Sequence, residues 1–141
     1  MNTSKRIIML VLAVSLLLFA CACAAGSKKT DEDAVKSAVA EMYKINYGKV
    51  VEEVKFNDVK VYTAEEIAAD PALQDYNIGE KDIVFEVQYE LKIIDGYEDI
   101  MQFTAGTGDV KDNWVVDKYN VGIARYVSDG EYTVDNFGTA F

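Results

Sequence analysis

The clearest pattern in the chain runs from Ile83 to Ile94. Ile83, Phe85, Val87, Tyr89, Leu91 and Ile93 alternate with Val84, Glu86, Gln88, Glu90, Lys92 and Ile94. A period of two with one apolar and one mostly polar face predicts a strand of an antiparallel sheet covered on one side. A different period precedes it. Val35, Ala38, Val39, Met42 and Ile45 recur at three and four residues, a single apolar stripe on a helix. Thr30 is the expected N-cap, Asp31, Glu32 and Asp33 suit the positive end of the helix dipole, and Gly48 ends it. Tyr43 and Tyr47 flank the stripe as packing residues with a wet hydroxyl.

Between these two segments, Val54, Phe56, Val59 and Val61 predict a strand interrupted at Asn57-Asp58. Thr63-Ala64-Glu65-Glu66 has the form of a capping box, and Asp70-Pro71 that of a second N-cap with proline at the first helical position. After Ile94, the odd positions Tyr97, Met101, Phe103 and Ala105 suggest another strand. A three-residue loop of Ile94, Asp95 and Gly96 then pairs Tyr89 with Met101 and Val87 with Phe103, keeping the apolar faces together. Gly96 takes the left-handed position of that turn. Gly106-Thr107-Gly108 marks a bend, Trp114 to Ile123 a further strand, Ser128-Asp129-Gly130 a turn, and Glu131 to Phe141 a terminal strand.

Residues 1 to 29 follow neither period. Lys5 and Arg6 precede an apolar run of 14 residues, Ile7 to Ala20, and then Cys21. That run is short of the roughly 20 residues a membrane-spanning helix needs. A basic start, an apolar run and a small residue before cysteine make an export signal. Leu18-Phe19-Ala20-Cys21 resembles the lipobox of bacterial lipoproteins, and the resemblance implies cleavage before Cys21 and acylation of its thiol. Ala20-Cys21-Ala22-Cys23 is a second match, with Ala in place of Leu three before the cysteine. The expected organisation is a signal peptide at 1–20, a tether at 21–29 and one domain at 30–141, held at the outer face of the bacterial cytoplasmic membrane. Nine tether residues, fully extended, reach roughly 30 Å.

Without residues 1–20 the chain carries 12 basic and 24 acidic side chains, a formal charge of −12. That field repels phosphate backbones, so nucleic acid is an unsuitable partner. Cys21 and Cys23 are the only cysteines, which leaves the domain without a disulfide. Histidine is absent, and with it go the Ser-His and Cys-His pairs, His-based zinc sites and the usual general base near neutral pH. No cofactor is expected. Gly106-Thr107-Gly108 lacks the Lys-Ser/Thr that a phosphate loop needs, and Asp109, Asp112 and Asp117 lack the spacing of a calcium loop.

A helix, a strand, a short helix and then at least three antiparallel strands define an α+β domain. The order resembles the cystatin-like and nuclear-transport-factor-like architecture, in which a curved sheet wraps one helix. That resemblance implies a cavity between helix and sheet. Tyr89, Asp99, Asp117 and Tyr119 share the parity of the apolar positions and form a candidate pocket, with Trp114 at its rim and Arg125 as an anion clamp or a surface ion pair. A filled interior, with Met42 and Phe103 among the fillers, is the other expectation. The leading functional expectation is an anchored accessory module that binds an envelope protein or a small ligand. A small isomerase or dehydratase with an Asp/Tyr pocket, and a cystatin-like inhibitor, are the alternatives.

Overall fold

The computed structural model describes residues 30 to 141, so the lipobox, Cys21, Cys23 and the tether lie outside the described residues. The chain starts with α1 (Asp31–Tyr47), capped by Thr30, whose hydroxyl accepts the Asp33 N–H at 3.2 Å. The buried face follows a four-residue step through Val35, Val39 and Tyr43, with Ala34 and Ala38 beside it. Ile45, placed on that stripe by its spacing, is instead 73% exposed. The stripe turns toward Tyr43 because its ring reaches the centre of the sheet.

Five strands follow: β1 (Val51–Val61), β2 (Ile83–Ile93), β3 (Asp109–Lys111), β4 (Trp114–Ser128) and β5 (Glu131–Gly138). They form one antiparallel sheet in the order β1-β2-β4, with β3 and β5 both paired to β4. The interruption expected in β1 is present. The register shifts between Phe56 and Asp58, leaving Asn57 free to donate its amide to Glu90 at 3.2 Å. The connection from β1 to β2 holds α2 (Ala64–Ala69), opened by the complete Thr63/Glu66 capping box, and a single 3₁₀ turn at Pro71–Leu73 capped by Asp70.

One face of the sheet packs on α1. Its core contains Phe85, Val87, Tyr89, Leu91 and Ile93 from β2 with Val35, Val39 and Tyr43 from α1. The opposite face is mostly polar but closes over a smaller cluster of Leu73, Val84 and Ile123, with Tyr62, Ile67, Tyr76, Ile78 and Phe141 around it.

Two expectations are corrected. The segment after Gly96 is a helix, α3 (Glu98–Gln102), not a strand, and β2 pairs with β4 instead of with a hairpin partner. Tyr97, Ile100 and Met101 also fit a helical period, and Glu98 closes the turn by accepting the Gly96 N–H at 2.8 Å. Gly96 does take the left-handed conformation expected of it, with φ at +95°. The second correction lies inside β4, whose alternation breaks at Asp117. Val115 faces Leu91, but Lys118 faces Tyr89 and Asn120 faces Val87. Asp117 sits at φ 56°, the geometry of a bulge, and the extra residue exchanges inside and outside for everything after it.

Candidate functional site

Because of that bulge, β4 sends Lys118 and Asn120 toward α1, and both are buried. Asn120 donates both amide hydrogens to carbonyls, those of Ala105 and of Gly138 (3.1 Å). Its Oδ1 therefore accepts, and the Tyr89 hydroxyl donates to it at 2.6 Å. With the hydrogen of Tyr89 committed, Tyr43 is left to donate across the 2.7 Å contact between the two hydroxyls. Burial pushes the Tyr43 phenol up to about 12 and the Tyr89 phenol further still, so both stay neutral at physiological pH.

The same side chains occupy the space between helix and sheet. The rings of Tyr43 and Tyr89 lie 5.8 Å apart, and Phe137 sits 6.1 Å from Tyr89 and 6.3 Å from Phe85. Gly122 makes room for them, since a Cβ there would lie 2.7 Å from Phe85 Cζ. The helix–sheet interface is thus filled, although Phe103, an expected filler, is 65% exposed. Lys118 reaches past this core to the end of α3, where Nζ donates to the carbonyls of Gln102 at 3.1 Å and Met101 at 3.4 Å. Burial lowers its ammonium to about 8.

The six side chains of the candidate pocket do not converge. Tyr89 is enclosed in the network just described. Asp99 is exposed in the first turn of α3. Asp117 is exposed on the bulge, 3.9 Å from Lys111 Nζ. Tyr119 lies on the opposite face of the sheet, across from Gln88 and beside Glu86; burial, then that carboxylate, raises its phenol. Trp114 is half-buried across from Lys92, with Lys55 Nζ 6.0 Å from its ring centroid.

Arg125 is a tie between elements. Its Nη1 meets Asp82 at 2.9 Å and the Asn77 carbonyl at 2.5 Å, and Nε meets Asp135 at 3.2 Å. Burial works against the Asp82 charge, but the Tyr126 and Gly79 N–H groups and Arg125 outweigh it and keep the carboxyl below its ordinary range. Among the described residues, no group of three His, Cys, Asp or Glu side chains can hold a metal ion, and no helix is long and apolar enough to cross a membrane.

Lys118 and Asn120 escaped the sequence reading. The signal available was the run Lys118, Asn120, Gly122, Ala124, whose small members leave room for aromatic rings. It is outweighed by Tyr119, Val121 and Ile123 at the intervening positions.

The surface is more distinctive than the interior at the corner formed by α3 and β3. Met101 points into the core, while Ile100 is 64% exposed and Tyr97, at the three-residue step, is also exposed with Phe103 and Val110. Gln102 donates to the Gly108 carbonyl at 2.7 Å and so joins the end of α3 to the start of β3. Ala105, just beyond the helix, adopts φ 52°, which costs a residue with a Cβ roughly 1 kcal/mol. No family model, curated protein or solved structure is a significant match to this chain.

Proposed function

We propose that the protein is an extracytoplasmic lipoprotein, acylated at Cys21 and held at the outer face of the bacterial cytoplasmic membrane. There it serves as an accessory module that binds another envelope protein. The observation that carries the reading is the succession Lys5-Arg6, Ile7 to Ala20 and Cys21. Surface recognition is favoured over enclosure of a small ligand by the packed interior of Tyr43, Phe85, Tyr89 and Phe137. An isomerase-like reaction calls for an apolar cavity holding a carboxylate, and the buried polar side chains among the described residues are Lys118 and Asn120. The helix-on-sheet arrangement supports, at the finer level, a cystatin-like or nuclear-transport-factor-like domain.

Metabolic labelling with palmitate, followed by membrane fractionation, tests the anchor. Cys21→Ala abolishes the label and leaves an unprocessed precursor, whereas Cys23→Ala leaves labelling intact. Equal labelling of wild type and Cys21→Ala, with loss in Cys23→Ala, moves the attachment to the second cysteine. An unlabelled wild-type chain with Met1 intact removes the anchor altogether.

A further inference from the structure

We propose that the corner built from α3 and β3 is a docking surface for a protein segment that combines bulky apolar side chains with flanking lysines or arginines. This rests on the proposed role as a protein-binding module and names the surface and the chemistry of its partner.

Three observations select that occupant. The first is the character of the corner. Ile100 leaves α3 on its outer side, Tyr97 and Phe103 flank the helix at its two ends and Val110 adds to the exposed apolar surface on β3, while Asp95, Glu98, Asp99, Asp109 and Asp112 are interspersed with them. Lys111 is the one base in that stretch, and Asp117 lies against it at 3.9 Å. An apolar surface in a negative field is complemented by an apolar segment carrying positive charge. The same field repels a second copy of this acidic chain and an anionic lipid surface.

The second observation is the position of the corner. The Ile94 N–H donates to the Val50 carbonyl at 3.0 Å, so the segment leading into α3 lies beyond the C-terminal end of α1. Thr30, where the described chain begins, caps the other end. A helix of 17 residues separates them by roughly 25 Å. The corner therefore faces away from the point at which the tether enters.

The third is the investment made in holding α3 still. A helix of five residues has little stability of its own. It is fixed by the Met101 side chain, by the Gln102 link to Gly108, by a left-handed alanine and by a buried lysine on its last carbonyls. All of these act on the inner side and leave Ile100 and Phe103 presented outward.

The test uses the full-length protein in nanodiscs of zwitterionic lipid. A labelled helical peptide of repeating leucine and lysine is compared with its counterpart in which every lysine is glutamate. Anisotropy is expected to show the lysine peptide binding at least about tenfold more tightly. Phe103→Asp and Ile100→Asp each weaken it about tenfold, and paired reversal of Asp99 and Asp109 to lysine does the same. The substituted side chains are exposed, and unchanged thermal melts confirm folding. Equal binding of the two peptides, or binding indifferent to Phe103→Asp, overturns the proposal.

A photocrosslinker placed at Phe103, Tyr76 or Tyr119 in native membranes separates the surface from the role. A Phe103 adduct to a basic, apolar protein segment supports the corner. A Phe103 adduct to lipid, to residues 1–29 or to a second copy rejects it. Adducts from Tyr76 or Tyr119 alone keep the binding module and reject the corner, and adducts from none reject both.

Discussion

Tyr89 has one hydroxyl hydrogen to give and Asn120 has two amide hydrogens, and all three are placed on acceptors, the buried Asn120 Oδ1 and the carbonyls of the half-buried Ala105 and Gly138. Removing any member leaves a buried partner unpaired, which costs about 1–3 kcal/mol for each orphaned group. Tyr89→Phe strands both the Asn120 Oδ1 and the Tyr43 hydroxyl, and urea denaturation is expected to show a loss of about 2–4 kcal/mol. Asn120→Ala strands two carbonyls and the Tyr89 hydroxyl and should be clearly worse.

Lys118 gives a pH signature of definite sign. Its value of about 8 in the folded chain lies below the 10.5 of the unfolded one. Above about 8 the unfolded chain holds the extra proton, so the stability owed to this site rises toward pH 10.5 and is lowest below 8. Measured against Lys118→Met, so that the tyrosines cancel, wild type should gain roughly 2 kcal/mol between pH 7 and 9.5. A flat difference across that interval would place the lysine outside the core.

The elements differ in how they answer to substitution. In β4 the bulge depends on Asp117 at φ 56°. Asp117→Gly should be neutral or stabilising, whereas Asp117→Val should lose about 1–2 kcal/mol because a β-branched residue resists that conformation. The Lys111 contact is solvated and contributes little to either result.

This bulge also separates what the sequence discloses from what it conceals. The capped start of α1, the interruption in β1, the Thr63 box, β2 and the terminal strand are all set by neighbours along the chain, and each is legible. Residues 97–103 fit both periods, and contacts from far along the chain accompany the helix, among them the Lys118 ammonium, 16 residues beyond Gln102, on its last carbonyls. The face carried by Tyr119 depends on one residue whose conformation leaves no mark in composition. Parity carried across that position puts Tyr119 on the wrong face, and a strand period carried through residues 98–102 does the same for Asp99, while Tyr89 on the uninterrupted β2 is buried as its alternation requires.

At the scale of the molecule the dominant quantity is charge. A formal charge of −10 over the whole chain makes compaction work against its own repulsion, which dissolved salt screens. Raising sodium chloride from low concentration to about 0.5 M, where screening acts within a few ångströms, should increase the thermal midpoint in calorimetry. A falling midpoint would mean that the cross-strand pairs Lys55–Glu90 and Lys92–Glu52 outweigh the net repulsion. The length of α1 sets a different limit. On the proposed acylation of Cys21, the nine residues before Thr30, roughly 30 Å at full extension, and a helix of roughly 25 Å would bound how high the far corner can rise. A partner of the proposed kind would then have to offer its matching segment within about 55 Å of the headgroups, which low-lying loops of integral proteins do and the crowns of tall ectodomains do not.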